Sequence, residues 1–158
     1  MPAFLEVTVD KFTFKVAADR FYTHEGVWVL PSPLTPLPVG EVNRVRIGLS
    51  DFLQQRSGDI AFAEIKPVGT ALKVGDEVAS IETIKVNVAL SSPVSGKVLE
   101  VNSAMDTAPE VINQDPYGEG WLAVIATSDW ETDRSRLLDA AAYFDMVKRE
   151  AEEEMKKQ

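Results

Sequence analysis

The 158-residue chain contains no cysteine and only one histidine, His24. Without thiols it builds neither a disulfide framework nor a thiolate metal site, and it has no cysteine nucleophile. A lone imidazole is ordinarily a surface or loop residue, so His24 is assigned no catalytic role and no metal ligand set is expected. A nucleophile motif and a phosphate-cradling glycine loop are missing as well, which argues against an enzyme working through its own side chains. Basic residues are scarce: 16 Lys and Arg stand against 25 Asp and Glu, a net charge of −9. That balance repels nucleic acid and anionic membrane and suits docking on basic partner proteins. No apolar run approaches a membrane span, and the opening MPAFLEVTVDKF has no basic n-region, apolar h-region or arginine-rich character. The expected compartment is the cytoplasm, or the mitochondrial matrix if a transit peptide has been removed.

What is present reads as short strands separated by turn residues. Alternation through Val7, Val9, Phe12, Phe14 and Val16 predicts a strand pair or an extended arm. Tyr22 to Leu30 leads into a strand, and prolines at 31, 33, 36 and 38 impose a loop. A strand is predicted at Glu41–Leu49, then a short helix capped by Ser50 or Asp51 and running through Arg56, with Gly58 suited to the left-handed C-terminal position. Further strands are expected at 59–65, 77–84, 86–90, 97–102 and 121–126, with a helical turn at Pro109–Asn113. Turn signals every 8 to 12 residues or so argue for an all-β sandwich or barrel. From Asp129 the pattern changes: Leu137, Leu138, Ala141, Tyr143, Phe144 and Val147 recur at helical spacing, and EEEMKK reads as a solvated, frayed end. The expected division is an N-terminal extension at 1–20, a β-sandwich domain at 21–128 and a helical segment at 129–158. Trp121, in PYGEGW, reads as a core or packing residue before a docking one, although Tyr117 to Trp121 could serve as both.

The segment Gly75 to Gly96, GDEVASIETIKVNVALSSPVSG, holds one lysine, Lys85. Ile84, Val86, Val88 and Leu90 fall on one face at period two, so Lys85 is expected to point outward with Val86, Val88 and Leu90 anchoring the hairpin in the core. An exposed strand lysine is ordinarily a solvated charge. Its surroundings alter that reading: ETIK followed by SPVSGKV resembles the lipoyl-attachment hairpin of the glycine cleavage system H proteins. GLSDFLQQRSGDI at Gly48–Ile60, KVGDEVASIETIK at Lys73–Lys85, SPVSGKVLEVN at Ser92–Asn102 and NQDPYGEGWLAVI at Asn113–Ile125 extend the likeness from about Tyr22 to the C-terminal helix.

The resemblance implies a lipoyl/biotinyl-type barrel-sandwich hybrid, mainly β, with short helices and a C-terminal helix packed on it. It implies lipoic acid attached at Lys85 as N6-lipoyllysine, with Glu82 three residues upstream as a recognition residue and Gly75 and Gly96 shaping the flanking turns. A biotin carrier would place methionines beside the lysine, where Ile84 and Val86 stand, and a Schiff-base or general-base lysine needs a desolvating pocket. It further implies a non-catalytic carrier taking the aminomethyl group of glycine from the pyridoxal-phosphate-dependent glycine decarboxylase to the folate-dependent aminomethyltransferase, then reoxidised by dihydrolipoyl dehydrogenase. A lipoate ligase or lipoyl transferase would install the group. The family's His-Glu before a tryptophan is matched here by Gly26-Val27 before Trp28, its histidine near the end of the first helix by Arg56, and its acid after the lysine by Ala89. In the family these positions shelter the loaded arm. The alternative is an H-like lipoyl carrier serving another redox, sulfur or one-carbon system, or relaying lipoate to other proteins.

Overall fold

The computed structural model describes residues 3–31 and 43–156, so the proline-rich stretch 31–38 lies outside the described residues apart from Pro31. The chain runs β1 (Phe4–Val9), β2 (Phe12–Ala17), β3 (Phe21–Tyr22), β4 (Val27–Pro31), β5 (Arg44–Leu49), α1 (Asp51–Ser57), β6 (Ile60–Ile65), β7 (Ala71–Leu72) and β8 (Glu77–Thr83). It continues with β9 (Asn87–Ser91), β10 (Gly96–Val101), α2 (Ala104–Thr107), α3 (Val111–Gln114), β11 (Ala123–Thr127), α4 (Trp130–Arg134) and α5 (Ala140–Lys156). The fold is mainly β: a six-stranded sheet ordered β3-β4-β5-β11-β10-β7, a three-stranded sheet β6-β8-β9 and the β1-β2 hairpin, none closed into a barrel.

Side-chain alternation builds the core. On β5, Val45, Ile47 and Leu49 are buried while Arg46 is exposed. They meet Ile125 and Val98 of their own sheet and Val78, Ile81 and Leu90 from the three-stranded sheet in one apolar cluster. Each such side chain contributes roughly 1.5–3 kcal/mol when fully buried.

A second cluster joins the N-terminal hairpin to the C-terminal helix. Phe14, Val16, Tyr22, Trp28, Phe52, Tyr143 and Val147 are buried together. The Tyr22 and Tyr143 rings stack with centroids 4.3 Å apart. The Tyr143 hydroxyl lies 2.7 Å from Ser50 Oγ, which caps α1 by accepting from Leu53 N–H. α5 thereby holds the start of α1, the helix that leads into β6. Its buried stripe is Ala140, Tyr143, Val147 and Ala151. Leu137 and Leu138 precede the helix instead of beginning it, because Leu138 is drawn into a backbone bridge with Tyr22. The acidic end stays helical through Lys156, and Glu150 and Glu154 both pair with Arg56 at 3.6 and 3.0 Å. Gly58 has positive φ (89°) but extended ψ (−167°), so α1 ends without the expected left-handed cap and the chain turns straight into β6.

All three tyrosines of the chain belong to this region. Burial pushes Tyr117 up to about 12 and raises Tyr22 and Tyr143 further still. The unfolded chain ionises near pH 10 while the folded one keeps its protons, so stability is complete below pH 10 and falls above it. With three such groups the loss approaches about 4 kcal/mol per pH unit. Phenolate absorbance and loss of circular dichroism are expected to coincide in one alkaline transition; ordinary phenolate titration with the fold intact would contradict this.

Candidate functional site

β8 and β9 form an antiparallel hairpin, in one register from Ala79↔Leu90 to Glu82↔Asn87 and shifted by a bulge before it, at Glu77↔Ser91. The chain reverses within Thr83–Val86, where Thr83 N–H donates to Val86 O at 2.9 Å. The Thr83 hydroxyl oxygen accepts from Lys85 N–H at 3.2 Å and Val86 N–H at 3.0 Å, and its proton reaches Val86 O at 3.3 Å. One side chain therefore binds two successive amides of the turn. Lys85 rides on this turn, exposed, and among the described residues no carboxylate is within ion-pair distance of its ammonium.

The turn overrides the period-two pattern. Ile84 is 95% exposed and Val86 45%, so neither anchors the hairpin; Leu90 at 1%, Ile81 and the half-buried Val88 do. Strand alternation fails because 83–86 is not strand, and a threonine two residues before the lysine is the signal that reading missed.

Glu82 closes the hairpin next to the turn, exposed, across from Phe62 on one side and Asn87 on the other. Gly75 and Gly96 sit at the opposite end. Gly75, with φ 94°, turns the chain before β8 and donates to Ser92 O at 3.0 Å. Gly96 starts β10 between Leu72 and Thr127. Lys85 and Glu82 thus share the tip, while the two glycines hold the base.

Two hollows flank the tip. A cleft of 250 Å³ lies between Ser57, Gly58 and Asp59 on one side and Thr83, Ile84 and Lys85 on the other. It exists because β6 starts opposite the hairpin's end, at Ile60↔Thr83. The outer face of the three-stranded sheet carries a shallow groove of 730 Å³, with Glu64, Glu77, Glu82 and Asp106 around a floor that includes Ser80 and Ala89. Phe62, 68% exposed, lines the same groove. The family-variant positions are occupied as follows: Gly26 sits in the turn before β4, Val27 is fully buried, Arg56 is engaged by α5, and Ala89 lies in the outer groove. His24 is exposed in the turn after β3, and Trp121 is partly buried against the second cluster with Arg46 over its ring at 4.7 Å.

This arrangement presents a primary amine on a rigid turn. No wall desolvates Lys85 as an imine-forming lysine requires, whereas an acylating enzyme needs the accessibility seen here. A family model described as glycine cleavage H-protein matches residues 38–150. A glycine cleavage system H protein of Coprothermobacter proteolyticus is 46% identical over 115 residues, covering 73% of this chain and 84% of that protein. One of Thermus thermophilus is 37% identical over 136 residues, covering 86% and 98%. The crystal structure of a glycine cleavage system H protein from Mycobacterium marinum superposes with a TM-score of 0.67 at 31% identity, covering 83% of this chain and 98% of that one.

Proposed function

The chain belongs to the glycine cleavage H-protein family, and on that basis we propose that Lys85 is the residue through which it works, acylated as N6-lipoyllysine. The protein is a lipoyl carrier of the glycine cleavage system. The observation that carries the assignment to Lys85 is the Thr83-braced turn, which holds the lysine in solvent with no ion pair among the described residues. When bound, the lipoyl group supplies a disulfide able to take up and pass on the aminomethyl group of glycine. The chain's own part is to hold the arm's root still, so that successive active sites meet one shape and the cargo stays at high effective concentration. Gly75 and Gly96 serve this by fixing the hairpin's base, and Glu82 by marking its tip for the modifying enzyme. The lipoyl-bearing unit is 21–128, with 1–20 and 129–158 as its support.

The acidic outer groove supports docking of glycine decarboxylase, aminomethyltransferase, dihydrolipoyl dehydrogenase and the lipoate ligase or lipoyl transferase wherever they present basic surface to it. No helix among the described residues is long and apolar enough to cross a membrane, and we place the protein with its partners in the cytoplasm. Its role is non-catalytic. Lipoylated protein is expected to support glycine–bicarbonate exchange by purified glycine decarboxylase, whereas unmodified protein alone turns over nothing. Failure of exchange by fully lipoylated protein would redirect the reading to another lipoate-dependent system, the direction in which Val27, Arg56 and Ala89 point.

A further inference from the structure

The Asn113–Trp121 motif lies away from the lysine in sequence, and its first residue reaches the lysine's surroundings. Asn113, on α3, donates from Nδ2 to Gly58 O at 2.9 Å and to Gln54 Oε1 at 3.0 Å, and accepts at Oδ1 from Ile60 N–H at 2.9 Å. These bonds bracket Asp59 and tie the end of α1 to the bulged start of β6. Ser57, Gly58 and Asp59 form one wall of the 250 Å³ cleft whose other wall carries Lys85. Ile60 is paired with Thr83, the residue that binds the Lys85 and Val86 amides. A single amide is thereby linked to both walls: through Gly58 to the far one, and through Ile60 and Thr83 to the turn.

We propose that Asn113 is the positioning residue for Lys85, setting the separation of the 57–59 wall from the hairpin tip and so the shape that the lipoylating enzyme must recognise. This rests on the assignment of Lys85 as the attachment site. Gln54, 9% exposed, has its own amide fixed by Asp51 Oδ1 at 2.8 Å, which leaves its oxygen directed to Asn113. Asn113→Asp keeps the acceptor for Ile60 but replaces the donor with an oxygen facing Gly58 O and Gln54 Oε1, which pushes the wall away.

The test measures ligation of lipoate to full-length unmodified protein by purified lipoate ligase, at a temperature where circular dichroism shows every variant folded. Asn113→Asp is expected to lower ligation kcat/KM about tenfold. The control is Asn102→Ser: Asn102 also makes three bonds, to Glu119 O, Trp121 O and Ala104 N–H, but lines neither the cleft nor the turn. It should lose thermal stability and ligate at the wild-type rate. Should Asn113→Asp fail to fold, Gln54→Leu removes one bond of the three and is expected to slow ligation about twofold to threefold. Wild-type ligation in the folded Asn113 or Gln54 variant, or equal slowing by Asn102→Ser, overturns the proposal while leaving Lys85 as the carrier residue. A wild-type protein that takes no lipoyl group would remove the Lys85 assignment itself.

Discussion

Lys85→Arg is expected to abolish the lipoyl adduct completely while leaving the fold unchanged. Protein produced in a lipoate-competent host should show a single adduct by intact mass, and the variant none. Arginine preserves the positive charge and much of the aliphatic stem, so a ligase that needed only a cation at the tip would still dock. The guanidinium stays protonated at any working pH and offers no free amine lone pair for acylation. The side chain is exposed with no ion pair among the described residues, so the change in stability should be within about 0.5 kcal/mol. Loss of the adduct would then be a chemical effect and not a folding one. An adduct persisting at another lysine, or lost only because the variant unfolds, would refute the assignment.

Strand alternation was legible where strands continue. Val45, Ile47 and Leu49 are buried as their spacing demands, and the β1-β2 hairpin forms where Val7 to Val16 alternate. The same rule misled at Ile84 and Val86, because period two holds only while the backbone stays extended, and Thr83 binds the next amides into a turn instead. Local wording could place Lys85 and Glu82 at a tip, since they are three residues apart on one hairpin. It also put Gly75 and Gly96 in the turns flanking the hairpin; Gly75 does turn the chain before β8, but Gly96 opens β10 as a strand residue between β7 and β11, a placement set by pairing with distant strands. Asn113 was less legible still. Its partners lie 53 to 59 residues away, and nothing in NQDPYG specifies that an asparagine amide will meet the end of α1. Helical spacing from Leu137 onward signalled α5, but not that Leu138 would pair with Tyr22, a contact made by the backbone and blind to side-chain type.

Gly96→Val is expected to cost far more than any change at Gly75, and for a reason located in the sheet and not in the lysine turn. Gly96 pairs with Thr127 of β11 and Leu72 of β7, and a Cβ placed on it would collide with the carbonyl oxygen of Ala126 and lie 3.2 Å from Ile125 Cγ2. The colliding atom is backbone in a strand held on both sides by β5 and β10, so it cannot swing away as a flexible side chain would. Relief requires β10 and β11 to separate, exposing Val98 and Ile125 of the main core. A loss of about 4 kcal/mol or more is expected, lowering the melting temperature by roughly 10 °C. Gly75 has open space around its Cβ position, so Gly75→Ala meets only the strain of a side chain at φ 94°, about 1–2 kcal/mol. Thermal melts of the two variants separate these causes, and lipoylation measured well below both transitions shows whether the hairpin's base matters to its tip. If Gly96→Val melts like the wild type, the close approach of β10 to β11 is not the constraint that keeps glycine there. If it is destabilised yet still lipoylated at the wild-type rate while folded, the Thr83 turn alone presents Lys85, and the base has no part in recognition.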